Sequence, residues 1–315
     1  MSSESSVRRR TAAVVLNYRA ADETLQAVRS LLASAPPLDD VVVIDNDPSG
    51  QGESALADVR NRITYVSSDR NLGFPGGANA GIREARSRGA TEILLVNSDA
   101  IVPPDCLAAL RGALGTSPAA GIAVPCVMSR SSPDRVQSLG MRYSVATGRM
   151  RHLGFGKPRD AATLSVAKPI DGASACVMLV RTEVFDAVGL FDDEYFFSFE
   201  DLDFCLRARR AGYVTVLAGR AVAYHEGGRS IGATSARRLY FAARNHLRLA
   251  QRASPDAGRL KTVGRGMFIV GLNLAHAVRS PGRPFPIRVA AVARGTADYL
   301  RGRFGSGNPD GLESR

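Results

Sequence analysis

Four stretches hold residues whose types and spacing could do chemistry. In LLVNSDAIVPPD (94–105) an apolar run ends on Asn97, Ser98 and Asp99. A carboxylate at the end of a buried strand is costly unless it is paired or holds a cation. It suits a hard divalent ion, Mg2+ or Mn2+, with diphosphate oxygens completing the shell. A helix cap is the competing role for Asp99, but Asp105 and Pro103–Pro104 start a helix without it. In SDRNLGFPGGANAGI (68–82), glycines 73, 76, 77 and 81 are interleaved with Asn71 and Asn79. Glycine lets a backbone approach a ligand closely, and a helix opening after Gly77 would aim its N–H groups at a phosphate. No Gly-Lys-Ser/Thr follows, so this is not a Walker loop, and the spacing is not GxGxxG. A plain loop with a helix start accounts for the stretch equally well.

The third stretch, FDDEYFFSFEDLDFCLRARRAGY (191–213), holds six acidic residues between Asp192 and Asp203, beside aromatics. Glu200, Asp201 and Asp203 open a helix, where the dipole favours negative charge. Asp203 and Arg207 are spaced to pair with each other. The aromatic flanks imply partial burial, which raises a carboxylate's pKa and makes it a better base. The fourth is YHEGGRSIG (224–232), where His225 follows a strand and precedes Gly-Gly. A lone His is more often structural than a ligand.

These residues need elements to position them. Continuous β-branched runs predict strands at 12–18, 41–46, 63–68 and 92–99, and apolar periodicity predicts helices at 22–34 and 76–89. Such alternation argues a mainly parallel α/β sheet with helices on both faces, where ligands sit beyond the carboxyl ends of the strands. Polar tips collect at those ends: Asn17 and Tyr18, Asp45 and Asn46, Ser67 to Asn71, and Asn97 to Asp99. Further strands are expected at 121–128 and 174–181, with an irregular excursion over 129–170 that could carry acceptor contacts. A helix is expected at 198–212, with short extended pieces at 214–219 and 221–226. From about 234 the pattern turns helical. The division expected is a tail (1–10), a catalytic domain (11–233) and a basic helical extension (234–315).

The chain has 315 residues and a net charge of +11. Residues after 230 hold 15 basic and 4 acidic residues, so the excess lies there and the remainder is neutral. That extension suits an anionic surface. Within it Leu260, Val263, Met267, Val270, Leu274 and Val278 fall at helical steps, flanked by Lys261, Arg265 and Arg279. Such a stripe lies in a membrane interface, packs on the catalytic domain, or joins a second copy as a homodimer. Nucleic acid is not an expected partner, because basic and apolar positions interleave without an aromatic platform. The four cysteines form no CxxC pair and read as buried thiols in a reducing, cytoplasmic compartment. No signal peptide and no membrane-spanning run are expected.

Taken together, the four stretches resemble glycosyltransferase family 2, of GT-A fold, and most closely its rhamnosyltransferase-like branch. The resemblance covers about residues 11–250. It rests on LNY (16–18), an inverted form of the family's Tyr-Asn pair, on VVVIDN, on the whole of NLGFPGGANAG, on NSD as a worn Asp-x-Asp, on VGLFDDEYF before FSFEDLDFCLRARRAGY, and on HEGGRS. It implies inverting transfer of a sugar from a nucleoside diphosphate to an acceptor hydroxyl in cell-wall or glycoconjugate assembly. By this likeness dTDP-rhamnose is the favoured donor, with UDP- and GDP-sugars open. The acceptor would be a glycan, a lipid-linked precursor or a natural product. Asp99 and His225 would hold the metal, and Asp201, supported by Glu200, would be the base. Asp45 would accept from the pyrimidine N3–H, and Arg70 would lie on the base or a phosphate. Asn17, Tyr18, Asn71, Gly73, Gly77, Asn79 and Ser98 would complete the nucleotide-sugar site. Asn97 departs from the family by removing one carboxylate, and HEGGRS carries one residue more than expected before Ser230. The enzyme would work in the cytoplasm, peripheral on the inner face of the membrane.

Two rivals remain on the sequence. A nucleotidyltransferase of similar fold would want a Gly-rich basic loop directly after the first strand, and NYRAADET is not one. An inactive membrane scaffold of this fold would have no use for Asp99 and Asp201.

Overall fold

The computed structural model describes residues 9–160, 167–227, 235–280, 284–307 and 309. The chain opens with β1 (Thr11–Asn17), α1 (Ala21–Leu32), β2 (Asp40–Asp45), α2 (Gln51–Ala55), β3 (Thr64–Ser67), α3 (Gly73–Ser87) and β4 (Glu92–Asn97). β1 pairs in parallel with β2 and β4, and β2 with β3. Successive residues of these strands feed two separate cores. Val14, Ile44 and Leu95 pack on one face, and Val15, Val43 and Val96 on the other. Period-two alternation with both sides apolar is what a sheet covered by helices on both faces requires.

The second half departs from the parallel pattern. β5 (Ala100–Ile101), α4 (Cys106–Leu114), β6 (Ala120–Ser129) and the short β7 (Val136–Ser138), β8 (Met141–Tyr143), β9 (Met150–His152) and β10 (Lys168–Ile170) lead to β11 (Val177–Arg181). The excursion expected to be irregular thus holds small strands, with β8 and β9 as a separate pair. α5 (Thr182–Val188), α6 (Glu200–Arg210) and β12 (Val214–His225) follow. β11 lies antiparallel between β4 and β6, giving the order β10-β12-β6-β11-β4-β1-β2-β3. The two extended pieces read at 214–226 are one strand, β12, with a register shift between Ala218 and Val222.

Three helices close the chain: α7 (Ala236–Arg252), α8 (Arg259–Arg279) and α9 (Phe285–Leu300). α7 is not an appendage. Arg244 and Asn245 are fully buried and reach back to the loop before α6. α8 turns Arg265, Ile269 and Ala277 inward, and Arg265 donates to the Val145 carbonyl. Of the apolar stripe read on this helix, Val270 and Leu274 are half-buried, whereas Leu260, Val263, Met267 and Val278 face outward. Among the described residues no helix is long and apolar enough to cross a membrane. All four cysteines are buried free thiols.

Candidate active site

A cleft of about 300 Å³ opens at the carboxyl ends of β1, β2 and β4. Tyr18 follows β1, Asn46 follows β2, Asn71 and Gly73 open α3, and Asn97, Ser98 and Asp99 follow β4; Phe196, Phe197 and Arg237 close the opposite wall. The polar lining is internally braced. Asn46 donates to Asn71 Oδ1 and to the Gly73 carbonyl, each at 3.1 Å, and accepts from the Leu72 N–H at 3.0 Å. Gly73 has φ of +73°, and a Cβ there would collide with the Phe196 carbonyl, so only glycine fits.

Asp99 sits in the two-residue link between β4 and β5. β5 pairs antiparallel with the end of β12, setting His225 against Ala100. The chain thereby brings His225 Nε2 to 3.0 Å from Asp99 Oδ1. Burial alone would raise the Asp99 pKa. The His225 contact and the Gly227 N–H outweigh it and hold the carboxyl below its ordinary range. Gln137 of β7 fixes the ring from behind. Its Nε2 donates to the Glu226 carbonyl, which leaves Oε1, 2.8 Å from His225 Nδ1, as the acceptor of the Nδ1 proton. His225 Nε2 then either carries a second proton toward Asp99 or offers its lone pair to a cation.

The pair suits a hard cation in part. Adjacent donors on an octahedral ion at about 2.1 Å stand roughly 3 Å apart, which matches this separation. Among the described residues, however, no group of three or more His, Cys, Asp or Glu could hold an ion. Asn97, whose Nδ2 lies 3.2 Å from His225 Nε2, occupies the place of the missing carboxylate. The rest of any shell would come from ligand oxygens and water.

The acidic stretch sorts itself by partners. Asp192 and Glu194 pair with Arg248, Asp203 with Arg207 and Arg252, and Asp193 accepts from Asn79. Glu200 and Asp201 have no basic partner among the described residues. Burial, against the Leu202 and Ala175 N–H groups, pushes Asp201 up to about 6. Burial and then the Asp201 charge push Glu200 well above the usual range, and its Oε2 is buried without a hydrogen bond. Both carboxyls are thus pushed upward by burial, Glu200 the further because the Asp201 charge adds to it. Asp99 and Asp201 both act on the Cys176 thiol, which burial first and then those charges push up to about 12. The metal-type pair and the base-type pair thus flank one short segment, 174–176.

The loop before α6 is strained. Phe196, Ser198 and Phe199 all have positive φ, at 59°, 70° and 75°. Non-glycine residues stay there only where their surroundings over-determine them. Asn245 Nδ2 donates to the carbonyls of Tyr195, Phe197 and Ser198 at 2.9, 2.7 and 3.0 Å, and Arg244 donates to Tyr195.

Several expected contacts lie elsewhere. Asp45 is fully buried, and its oxygens accept from Asn17 Nδ2, the Asp47 N–H and the Tyr65 hydroxyl. It is not among the residues that line the cleft, and Asn17 braces it. Asn46, one residue on, faces the cleft instead. Gly77 lies inside α3, which begins at Gly73, four residues before the expected opening; a Cβ on it would collide with Leu16. Asn79 is buried and exchanges hydrogen bonds with the Phe191 backbone. Both serve packing. Arg70 is exposed and does not line the cleft. In HEGGRS, Gly228, Arg229 and Ser230 lie outside the described residues. Gln137, Arg237 and Asn245 were not singled out by sequence reasoning. Arg237 lines the cleft with its Nε buried and without a partner.

The fold is that of GT-A glycosyltransferases. The chain belongs to glycosyltransferase family 2: the sequence model described as Glycosyltransferase like family 2 matches residues 9–250. It is 24% identical over 198 residues to the low-salt glycan biosynthesis hexosyltransferase Agl10 of Haloferax volcanii, covering 62% of this chain and 61% of that protein. It is 24% identical over 177 residues to the dTDP-rhamnosyl transferase RfbF of Shigella flexneri, covering 55% and 54%, a likeness on the side of the rhamnosyltransferase-like branch. These matches span less than two thirds of either relative. Among solved structures, the mannosyltransferase PcManGT from Pyrobaculum calidifontis, in complex with GDP-Man and Mn2+, superposes with a TM-score of 0.59 at 14% identity, covering 94% of this chain and 88% of that one.

Proposed function

We propose that the chain transfers a sugar from a nucleoside diphosphate to an acceptor hydroxyl by a single inverting displacement. The observation that carries this reading is the pairing of two different carboxylate stations. Asp99 pairs with His225 at the cleft floor, and Asp201, buried beside Glu200 without a basic partner, is raised to about 6 and suits a general base. A displacement at an anomeric carbon needs charge stabilisation on one side and a base on the other. Tyr18, Asn71, Gly73 and Ser98 would contact the donor. Arg237, with an unpartnered Nε, would take a diphosphate oxygen and make up for the charge lost with Asn97. A divalent ion, Mg2+ or Mn2+, held by Asp99 and His225 would neutralise the departing diphosphate. Asp201 in its ionised form would remove the acceptor proton, with Glu200 beside it as a supporting neighbour.

Likeness to RfbF favours dTDP-rhamnose as donor over UDP- or GDP-sugars, and the acceptor class is a glycan, a lipid-linked precursor or a natural product. Residues 9–250 form the catalytic unit in this reading, with α8 and α9 as the extension. Buried free thiols support a cytoplasmic site of action. The test is calorimetric titration with dTDP, UDP and GDP, with and without Mn2+, followed by nucleotide release from the matching sugar donors. Failure of all three nucleotides to bind would remove the reading.

A further inference from the structure

The outward face of α8 is apolar where a solvated helix would be polar. Leu260 is 87% exposed and Met267 71%, and Val263, Phe268 and Val278 stand out beside them. These side chains share the side of the helix opposite the inward Arg265, Ile269 and Ala277. Packing on the catalytic domain therefore uses a different face and leaves this one uncovered. Leu300 of α9 is 76% exposed, next to a groove lined by Val270, Leu274 and Val292. A contiguous exposed apolar patch on a folded protein marks an interaction surface.

Its electrostatic surroundings decide what it meets. From Arg259 to Arg301 the chain has eight basic residues and one acidic residue, Asp298. Asp298 is buried and accepts from the Tyr240 hydroxyl. Arg259, Lys261, Arg279 and Arg301 are exposed around the apolar row. A second copy would bring the same positive field against this one, with no outward carboxylate on either helix to answer it. An anionic bilayer answers both features: its acyl boundary takes the apolar row and its headgroups take the basic rim.

We propose that the outer face of α8, with the adjoining end of α9, is a docking surface for an anionic lipid bilayer. The surface is connected to the base side of the cleft. Asn273 on the inner face of α8 lies with its Nδ2 3.4 Å from His246 Nδ1, and the His246 ring stacks on Phe199 at 5.1 Å between centroids. Phe199 is the residue before Glu200. Docking by α8 would therefore fix the catalytic unit on the bilayer through α7, with Glu200 and Asp201 behind these helices and within reach of a lipid-linked hydroxyl that extends past them. This last step rests on the transferase reading, but the docking itself does not.

The experiment is co-sedimentation of the full chain with phosphatidylglycerol vesicles or with phosphatidylcholine vesicles, at low and high salt. Two double variants are compared, Met267→Ser with Phe268→Ser, and Lys261→Gln with Arg279→Gln. All four positions are exposed, circular dichroism of each preparation checks that it is folded, and dTDP binding is measured beside it. Expected is binding to phosphatidylglycerol only, reversed by salt because the attraction is screened. The basic pair should weaken it by roughly thirtyfold, and the apolar pair should also weaken it. No binding to phosphatidylglycerol at low salt, equal binding to both lipids, or binding unmoved by either variant overturns the proposal. So does a dimer, seen by light scattering, that Met267→Ser with Phe268→Ser dissolves while vesicles are ignored. A chain that binds vesicles but no nucleotide leaves the surface standing and removes the transferase reading instead.

Discussion

Gln137 Oε1 lies 2.8 Å from His225 Nδ1, and the same amide donates to the Glu226 carbonyl. The amide cannot turn over without losing one of the two bonds, so His225 is held in the tautomer that points Nε2 at Asp99. Orienting groups of this kind commonly contribute 10–100-fold to metal affinity. Gln137→Leu is expected to weaken Mn2+-dependent nucleotide binding by about that factor, with binding in EDTA unchanged. Calorimetry with and without Mn2+ reads the difference, and equal losses in both would show a merely structural role.

Asp99→Ala should lower transfer by about 10² or more, the scale of removing one charge-stabilising group. Circular dichroism should show an intact fold, because Asp99 lies at the cleft rather than in the core. Full activity in EDTA, together with an active variant, would sink the metal role.

Asp201→Asn should retain nucleotide binding while the rate falls roughly 10²–10⁴-fold. The pH dependence has a definite sign. A base pushed up to about 6 must lose its proton to work, so the parent rate should rise with pH through about 6. Stability runs the other way. Between 3.8 and about 6 the folded state binds more protons than the unfolded one, so this group's contribution is lost as pH rises through that window. Asp201→Asn should then melt higher than the parent at pH 7, with the gap closing by about pH 4. A flat rate profile with an active Asp201→Asn and a dead Glu200→Gln would reverse the two roles.

Arg237→Gln should weaken binding of a nucleoside diphosphate by about 10–100-fold, the worth of one hydrogen bond to a charged group. Binding of the bare nucleoside should be unaffected. Equal losses for both ligands would place Arg237 away from the diphosphate.

Asn245→Ala leaves three carbonyls of the strained loop without their shared donor. A cost of about 1–3 kcal/mol is expected. A denaturation midpoint unchanged from the parent would show that the loop holds its shape unaided.

The strands were legible because β1, β2 and β4 are continuous apolar runs, and a parallel sheet buried on both faces leaves no polar positions to confuse the pattern. Asp99, His225, Glu200 and Asp201 drew notice in the sequence because costly residues at element ends stand out from their neighbours, and the structure sets Asp99 against His225 and buries Glu200 beside Asp201. The glycine run was misread in part. GFPGG looks like loop, yet Pro75 is tolerated in the first turn of α3, and Gly77 and Gly81 let the helix sit against Leu16 and Val14. At Asp45 the sequence shows a carboxylate at a strand end but not its partners, which in this structure are three donors of its own chain. Gln137, Arg237 and Asn245 left no local signal. Each is one polar residue in an unpatterned or basic stretch, and the groups that Gln137 and Asn245 serve lie about 90 and 50 positions away in the chain.

The clamp on the strained loop also fixes a sequence of events in the making of the enzyme. Synthesis delivers the sheet and the Asp99–His225 pair before α7 exists. The loop that holds Phe196, Ser198 and Phe199 lacks the Asn245 donor to its Tyr195, Phe197 and Ser198 carbonyls until α7 emerges. The wall that closes the cleft is therefore finished only when the last quarter of the chain arrives, and a nascent chain stopped short of α7 carries the cleft floor without Arg237 and without the Asn245 clamp.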